Sequence, residues 1–259
     1  KILLVDGLLA YTGGQNISSR HMVDVPLNYR RTRDLHFRLK GKIVDDLGRT
    51  FVNDWNHCNH ETNRIQFEPG HQQDGSAEVW ARPILDGPNQ NMDKLNELLV
   101  GIISAAKKRV WIMTPYFLPG LDLVGALTGA RLKGVDVKIL LPERTNIHIA
   151  HWASQHNLQF MLARCFSVFL LSPPFIHTKA ILIDDNYALV GSANMDPRSL
   201  RLNFELDVEL FSPEFNSELS KYFQKQLGNS VALSTQQLDS RPRWIKIRDA
   251  LAWLFTPYL

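Results

Sequence analysis

One pattern constrains this chain more than any other, because the chain carries it twice. Lys179, Asp184, Gly191 and Asn194 of residues 179–194 recur, with no gap, as Lys1, Asp6, Gly13 and Asn16 of residues 1–16. Leu4 matches Leu182, Ala10 matches Ala188, and Arg20 falls in register with Arg198. A self-match at fixed offsets marks an internal repeat. The second copy reads as strand, turn, strand. Residues 180–183 are apolar, Asp185-Asn186 is a turn signal, and residues 187–190 return apolar. Uninterrupted apolar runs predict strands buried on both faces. His177 and Lys179 stand two apart and are expected on one face of the strand, as are Ser192 and Asn194 after the return. An imidazole, an ammonium, a hydroxyl and an amide gathered by one hairpin suit a phosphate. They offer a nucleophile or proton carrier, a fixed cation and two neutral donors.

The arrangement H-x-K, four residues, D, six residues, G-[SG]-x-N resembles the doubled signature of the phospholipase D superfamily. The wider sequence is similar to its bacterial cardiolipin synthase branch, through Gly13-Gly14-Gln15-Asn16-Ile17, Asp34 with Phe51 and Trp55, Thr114-Pro115-Tyr116-Phe117-Leu118-Pro119, residues 134–138 and residues 191–199. The resemblance implies an α/β fold of two pseudo-twofold-related lobes, each a mostly parallel sheet flanked by helices. Residues 1–75 would be the end of a first, incomplete lobe with its linker, and residues 76–259 a complete second lobe. The first copy starts at its lysine. Its histidine is expected two positions before Lys1, so the chain reads as a fragment.

The same resemblance implies a reaction. The first-copy histidine attacks phosphorus and forms a phosphohistidine. His177 protonates the leaving alcohol and then deprotonates the incoming one, which suits a side chain whose pKa of about 6.5 moves with its surroundings. Lys1, Lys179, Asn16, Asn194 and Ser192 would cradle the phosphate, with Gly14 at the serine position contributing only its N–H. Glu205 is expected on the second ring nitrogen of His177, and Asp34 is its counterpart in the first copy. Asp6 and Asp184 count among the candidate catalytic residues as signature members, although each follows a buried strand and suits a turn-holding role. Arg20 and Arg198 are expected to pair with carboxylates across the pseudo-twofold axis. No metal or other cofactor is required.

The implied function is a phosphatidyltransferase moving a phosphatidyl group between phosphatidylglycerol molecules, with the fragment alone inactive. The implied partners are a phospholipid and a membrane surface, at the bacterial inner membrane. With water as acceptor the same site is a phospholipase. Two further alternatives are a phosphodiesterase acting on nucleic acid and a non-catalytic lipid-binding lobe. A net charge of +3 over 259 residues, without a basic groove studded with aromatics, argues against nucleic acid.

The remaining sequence supports an alternating α/β chain. Strands are expected at 34–39, 79–85, 110–114, 135–141, 166–171 and 204–211. Helices are expected at 44–55, from about Leu95 to Ala106, and at 121–132, 146–163 and 213–227. Arg30, Arg31 and Arg33 form a basic cluster that is either a solvated loop or a headgroup contact. His57, Cys58, His60, Glu61 and His71 invite a metal reading, but they lie in a polar connector without zinc-like spacing. Two cysteines exclude a disulfide framework, and Cys165 is expected in the core. Residues 241–259 mix arginines with Trp244 and Trp253, which fits either a helix closing the core or a segment lying on an anionic bilayer.

Overall fold

The computed structural model describes residues 1–22, 31–59, 64–70, 79–88, 91–145 and 147–258. Strand β1 (Ile2–Val5), β2 (Leu9–Gly13), β3 (Thr32–Arg33), β4 (His36–Lys40) and helix α1 (Ile43–Cys58) make the first half. The second half opens with β5 (Trp80–Asp86), α2 (Lys94–Ala105), β6 (Arg109–Met113), α3 (Leu121–Leu132), β7 (Asp136–Pro142), α4 (His148–Ala163) and β8 (Ser167–Leu171). It continues with β9 (Phe175–Ile176), β10 (Ala180–Ile183), β11 (Tyr187–Gly191), β12 (Glu205–Phe211), α5 (Pro213–Gly228), β13 (Ser230–Ala232), α6 (Thr235–Asp239) and α7 (Arg243–Trp253).

The hairpin β10–β11 is buried along its whole length, as its apolar runs require. It sits inside an eight-stranded sheet of order β13-β8-β7-β6-β10-β11-β12-β5. The sheet is mixed. β6, β7 and β8 run parallel because α3 and α4 carry the chain back between them. β10, β11, β12 and β5 add antiparallel neighbours, and of these pairs β10–β11 is the one joined by a tight turn. The first half repeats this hairpin with the same strand lengths, inside a three-stranded sheet of order β1-β2-β4. Leu4 faces Ala10 across β1–β2 as Leu182 faces Ala188 across β10–β11. Both turns place their aspartate in the left-handed region, Asp6 at φ 54° and Asp184 at φ 51°.

Two apolar cores follow from the two faces of the large sheet. Leu99, Ile103, Leu127, Ile139 and Leu158 fill one, under α2, α3 and α4. In the other, Ala10, Val44 and Leu47 of the first half join Trp111, Leu182 and Phe223 of the second. Each fully buried leucine contributes roughly 1.5–3 kcal/mol, so this shared core ties the two halves together. A second tie is the parallel pairing of β3 with β9, which lays Arg33 beside Ile176.

Two expectations change. The strand through residues 175–184 is interrupted at 177–179. There the His177 N–H donates to the Arg33 carbonyl (2.7 Å) and Lys179 Nζ donates to the His177 carbonyl (2.7 Å), so the backbone is satisfied outside the ladder. Cys165 is exposed rather than core, because it is the left-handed residue (φ 60°) that ends α4. Helix α7 does close a core, through Ala252 against Leu118 and Ala153. It also leaves Trp244, Ile247 and Leu254 more than half exposed. Arg30, His60, Glu61 and His71, and the expected boundary near residue 76, lie outside the described residues. His57 belongs to α1, Cys58 is exposed at its end, and no group of metal-ligating side chains forms among the described residues.

Candidate active site

The β3–β9 pairing decides what His177 meets. The chain leaving β3 runs beside the chain leaving β9, so Asp34 arrives next to His177. Its Oδ2 lies 2.8 Å from His177 Nδ1, and its Oδ1 accepts from the Leu35 N–H at 2.8 Å. The Asp34 side chain is 1% exposed, so its charge is held by these bonds rather than by water. Gly14 makes the approach possible: a Cβ there would stand 2.5 Å from Asp34 Oδ1. With Nδ1–H donating to the carboxylate, the Nε2 lone pair is left to react. Lys179 Nζ rests 2.9 Å from that nitrogen.

Burial pulls the His177 pKa below its ordinary value. The hydrogen bond to Asp34 opposes this, and the Lys179 charge adds to it. Burial also lowers Lys179, to about 7, with Asp34 acting upward and Lys1 downward. The Lys1 charge also acts on Lys179 and on His177, lowering both. An anion bound beside His177 and Lys179 would raise both.

The second carboxylate goes elsewhere. Glu205 accepts from Ser192 Oγ and, at 3.1 Å, from Asn203 Nδ2. Its charge acts upward on Lys179. The expected Glu205–His177 pair is therefore corrected: Asp34 of the first half serves the imidazole of the second. The backbone shows the equivalence. Gly14 N–H donates to Leu35 O (3.2 Å) and Ser192 N–H to Leu206 O (3.1 Å), so Gly14 with Asp34 repeats Ser192 with Glu205. The Gly14 N–H is thereby committed to the backbone and not offered to a phosphate. Ser192 is buried against Glu205, and Asp207 Oδ1 accepts from the N–H groups of Ser192 (2.8 Å) and Ala193 (3.1 Å).

The other candidates divide. Asn16 is exposed and lines two neighbouring cavities. Asn194 donates to Ser199 Oγ at 3.1 Å. Asp184 is a structural residue, a correction to its place among the catalytic candidates. Its carboxylate accepts from the N–H groups of Lys107 (3.1 Å), Lys108 (2.7 Å) and Arg109 (3.1 Å) at the start of β6. Asp6 takes the same turn position and is exposed. Arg20 and Arg198 form no ion pair among the described residues.

One residue escaped the repeat. His21, at the end of the 3₁₀ turn Ser19–His21, stands edge-on to His177 with ring centroids 6.3 Å apart. Its Nδ1 is buried and makes no hydrogen bond among the described residues, and burial lowers its pKa. No offset in the motif points to it, because the second copy has Ser199 where the first has His21. Cavities open on either side of the wall formed by Asn16, Ser18 and His21. One, of ≈ 600 Å³, contains His177, and the other, of ≈ 860 Å³, contains Lys1.

A duplicated hairpin and a carboxylate-held imidazole meet in a chain that belongs to the phospholipase D superfamily. Residues 99–227 match the family model described as cardiolipin synthase, PLD-like domain. The chain is 31% identical over its whole length to the major cardiolipin synthase ClsA of Bacillus subtilis and 30% identical to a cardiolipin synthase of Listeria welshimeri. It spans about half the length of these relatives, 54% of each. Among solved structures, phosphatidylserine synthase of Haemophilus influenzae matches all of the chain over 70% of its own, with a TM-score of 0.75 at 16% identity. The phospholipase D family member Nuc of Salmonella typhimurium matches 61% of the chain over 99% of its own, with a TM-score of 0.52 at 23% identity.

Proposed function

We propose that this chain carries the second half-site of a phosphatidyltransferase of the cardiolipin synthase type. One observation carries the reading most: Asp34 from one half meets the His177 ring of the other at 2.8 Å, with Lys179 Nζ beside that ring. A phosphodiester anion needs its charge cancelled, which Lys1 and Lys179 supply. Its leaving alkoxide needs a proton, which His177 Nε2 supplies while Asp34 stabilises the imidazolium. The nucleophile belongs on the Lys1 side, where the doubled pattern assigns a first-copy histidine. Its nitrogen bonds to phosphorus as the bond to the leaving alcohol breaks, giving a phosphohistidine. His177, now neutral, takes the proton of the incoming hydroxyl, whose oxygen displaces the histidine.

The donor is phosphatidylglycerol, and the acceptor a second alcohol of the same lipid class. The protein works at the face of a bacterial membrane. Helix α7 supports this: Trp244, Ile247 and Leu254 are exposed, with Arg243 and Lys246 on the same short helix. Amphipathic cationic surfaces with tryptophan settle at anionic interfaces. Among the described residues no helix is long and apolar enough to cross a membrane.

The test is the product of the complete reading frame, incubated with phosphatidylglycerol vesicles and analysed by mass spectrometry. Wild type should convert the lipid, and His177→Ala should lose about a hundredfold or more, the usual contribution of an acid–base group. Cleavage of single-stranded DNA with no conversion of the lipid would reject the reading.

A further inference from the structure

His21 is an imidazole to which the proposed reaction assigns no task. Its ring stands edge-on to that of His177, with centroids 6.3 Å apart and planes at 73°. It lines both the cavity that contains His177 and the cavity that contains Lys1. A phosphate attacked from the Lys1 side and protonated from the His177 side lies against the wall these cavities share. His21 belongs to that wall, with Asn16 and Ser18. The second copy uses the equivalent position for structure. There Ser199 Oγ accepts from Asn194 Nδ2 (3.1 Å), and the Ser199 N–H donates to Asp196 Oδ1 (2.7 Å). In the first copy Asn16 is exposed, and His21 Nδ1 is buried without a hydrogen bond among the described residues. The surroundings decide the charge of the ring. Burial lowers its pKa most, His177, Lys179 and Lys1 lower it further, and Asp34 opposes them. Arg20, Arg31 and Arg144 line the same cavity and also disfavour a cation there. The ring is therefore neutral at neutral pH. An unpaired N–H is tolerated inside a protein less readily than an unpaired acceptor, so the single proton belongs on Nε2.

We propose that the His21 Nε2–H donates a hydrogen bond to a non-bridging oxygen of the reacting phosphodiester, which makes His21 a catalytic residue outside the doubled motif. This rests on the phosphatidyltransferase reading. In-line transfer spreads charge over the equatorial oxygens of phosphorus. A donor aimed at one of them stabilises that charge. Because the donor is neutral, it does so without adding a cation to a site where the Lys1 charge already acts on Lys179.

The experiment measures kcat and KM on phosphatidylglycerol vesicles with the product of the complete reading frame, as wild type, His21→Gln and His21→Phe. Gln offers an N–H near the place of Nε2 but has no ring. Phe keeps a ring against His177 but has no donor. His21→Phe should lose about tenfold or more in kcat, the scale of one hydrogen bond to a charged group, while His21→Gln keeps most of the activity. The reverse order, Phe active and Gln impaired, would mean that the ring only packs against His177 and would overturn the proposal. Equal activity of wild type and His21→Phe would overturn it too. A second measurement needs no variant to fold. In wild type carrying ¹⁵N-labelled histidine, inorganic phosphate should shift the His21 Nε2–H resonance, and a resonance that stays in place would overturn the proposal. Failure of wild type to convert the lipid at all would instead overturn the phosphatidyltransferase reading, and the role of His21 with it.

Discussion

At the scale of single residues, the site is built by residues that are buried where they would prefer water. Asp207 is the extreme case, fully buried at the back of the hairpin and pushed up to about 7 by that burial. The folded protein keeps this proton up to about 7, whereas the unfolded chain gives it up near 3.8. Between those values the folded state binds more protons, so stability falls as pH rises, and the whole cost is present by pH 8. Asp207→Asn keeps an oxygen for the Ser192 and Ala193 N–H groups but cannot ionise. Thermal melts should show the variant more stable than wild type at pH 8, by about 1 kcal/mol or more, with the gap closing at pH 4. A gap of the same size at both pH values would mean that Asp207 is not protonated in the fold. His177 and Lys179 were legible in the sequence because the motif names their types and spacing, and Asp34 was legible only through the wider family resemblance. Which carboxylate meets which imidazole was not legible: Asp34 and Glu205 occupy equivalent places in the two copies, and only the folded chain shows the exchange. His21 was hidden for a related reason. It touches the site through a turn that the second copy does not repeat.

At the scale of elements, periodicity placed helices α1, α2, α3 and α5 and strands β6, β7 and β12 to within a few residues. The apolar faces that bury them set the pattern. It could not place the two-residue strands β3 and β9, which are too short to show alternation yet bring the halves into register. Nor could it decide between the two readings of the tail, because α7 has both an inner and an outer apolar side. Its inner side is held by Asp249, completely buried between Arg241 (2.8 Å) and Arg248 (2.7 Å), with the Arg248 guanidinium 4.4 Å over the Trp152 ring. Removing one member of such a cluster leaves the others uncompensated. Asp249→Ala should destabilise the protein by about 3 kcal/mol in denaturant melts. A change under about 0.5 kcal/mol would show that α7 is held by its apolar contacts alone.

At the scale of the whole molecule, two copies of one hairpin are packed together, and Asp34 of the first half meets His177 of the second; the proposal is that the two copies serve one phosphate. The repeat was visible as a match of residues 1–16 with 179–194. The shared core of Leu47, Leu182 and Phe223 makes the two copies one body. The most direct test is a double-mutant cycle on phosphatidyl transfer, with Asp34→Ala and His177→Ala made singly and together in the product of the complete reading frame. If Asp34 acts through His177, its removal costs about tenfold or more in the wild-type background and less than about twofold once His177 is gone. Losses that multiply in full would contradict a carboxylate of one half working through the imidazole of the other.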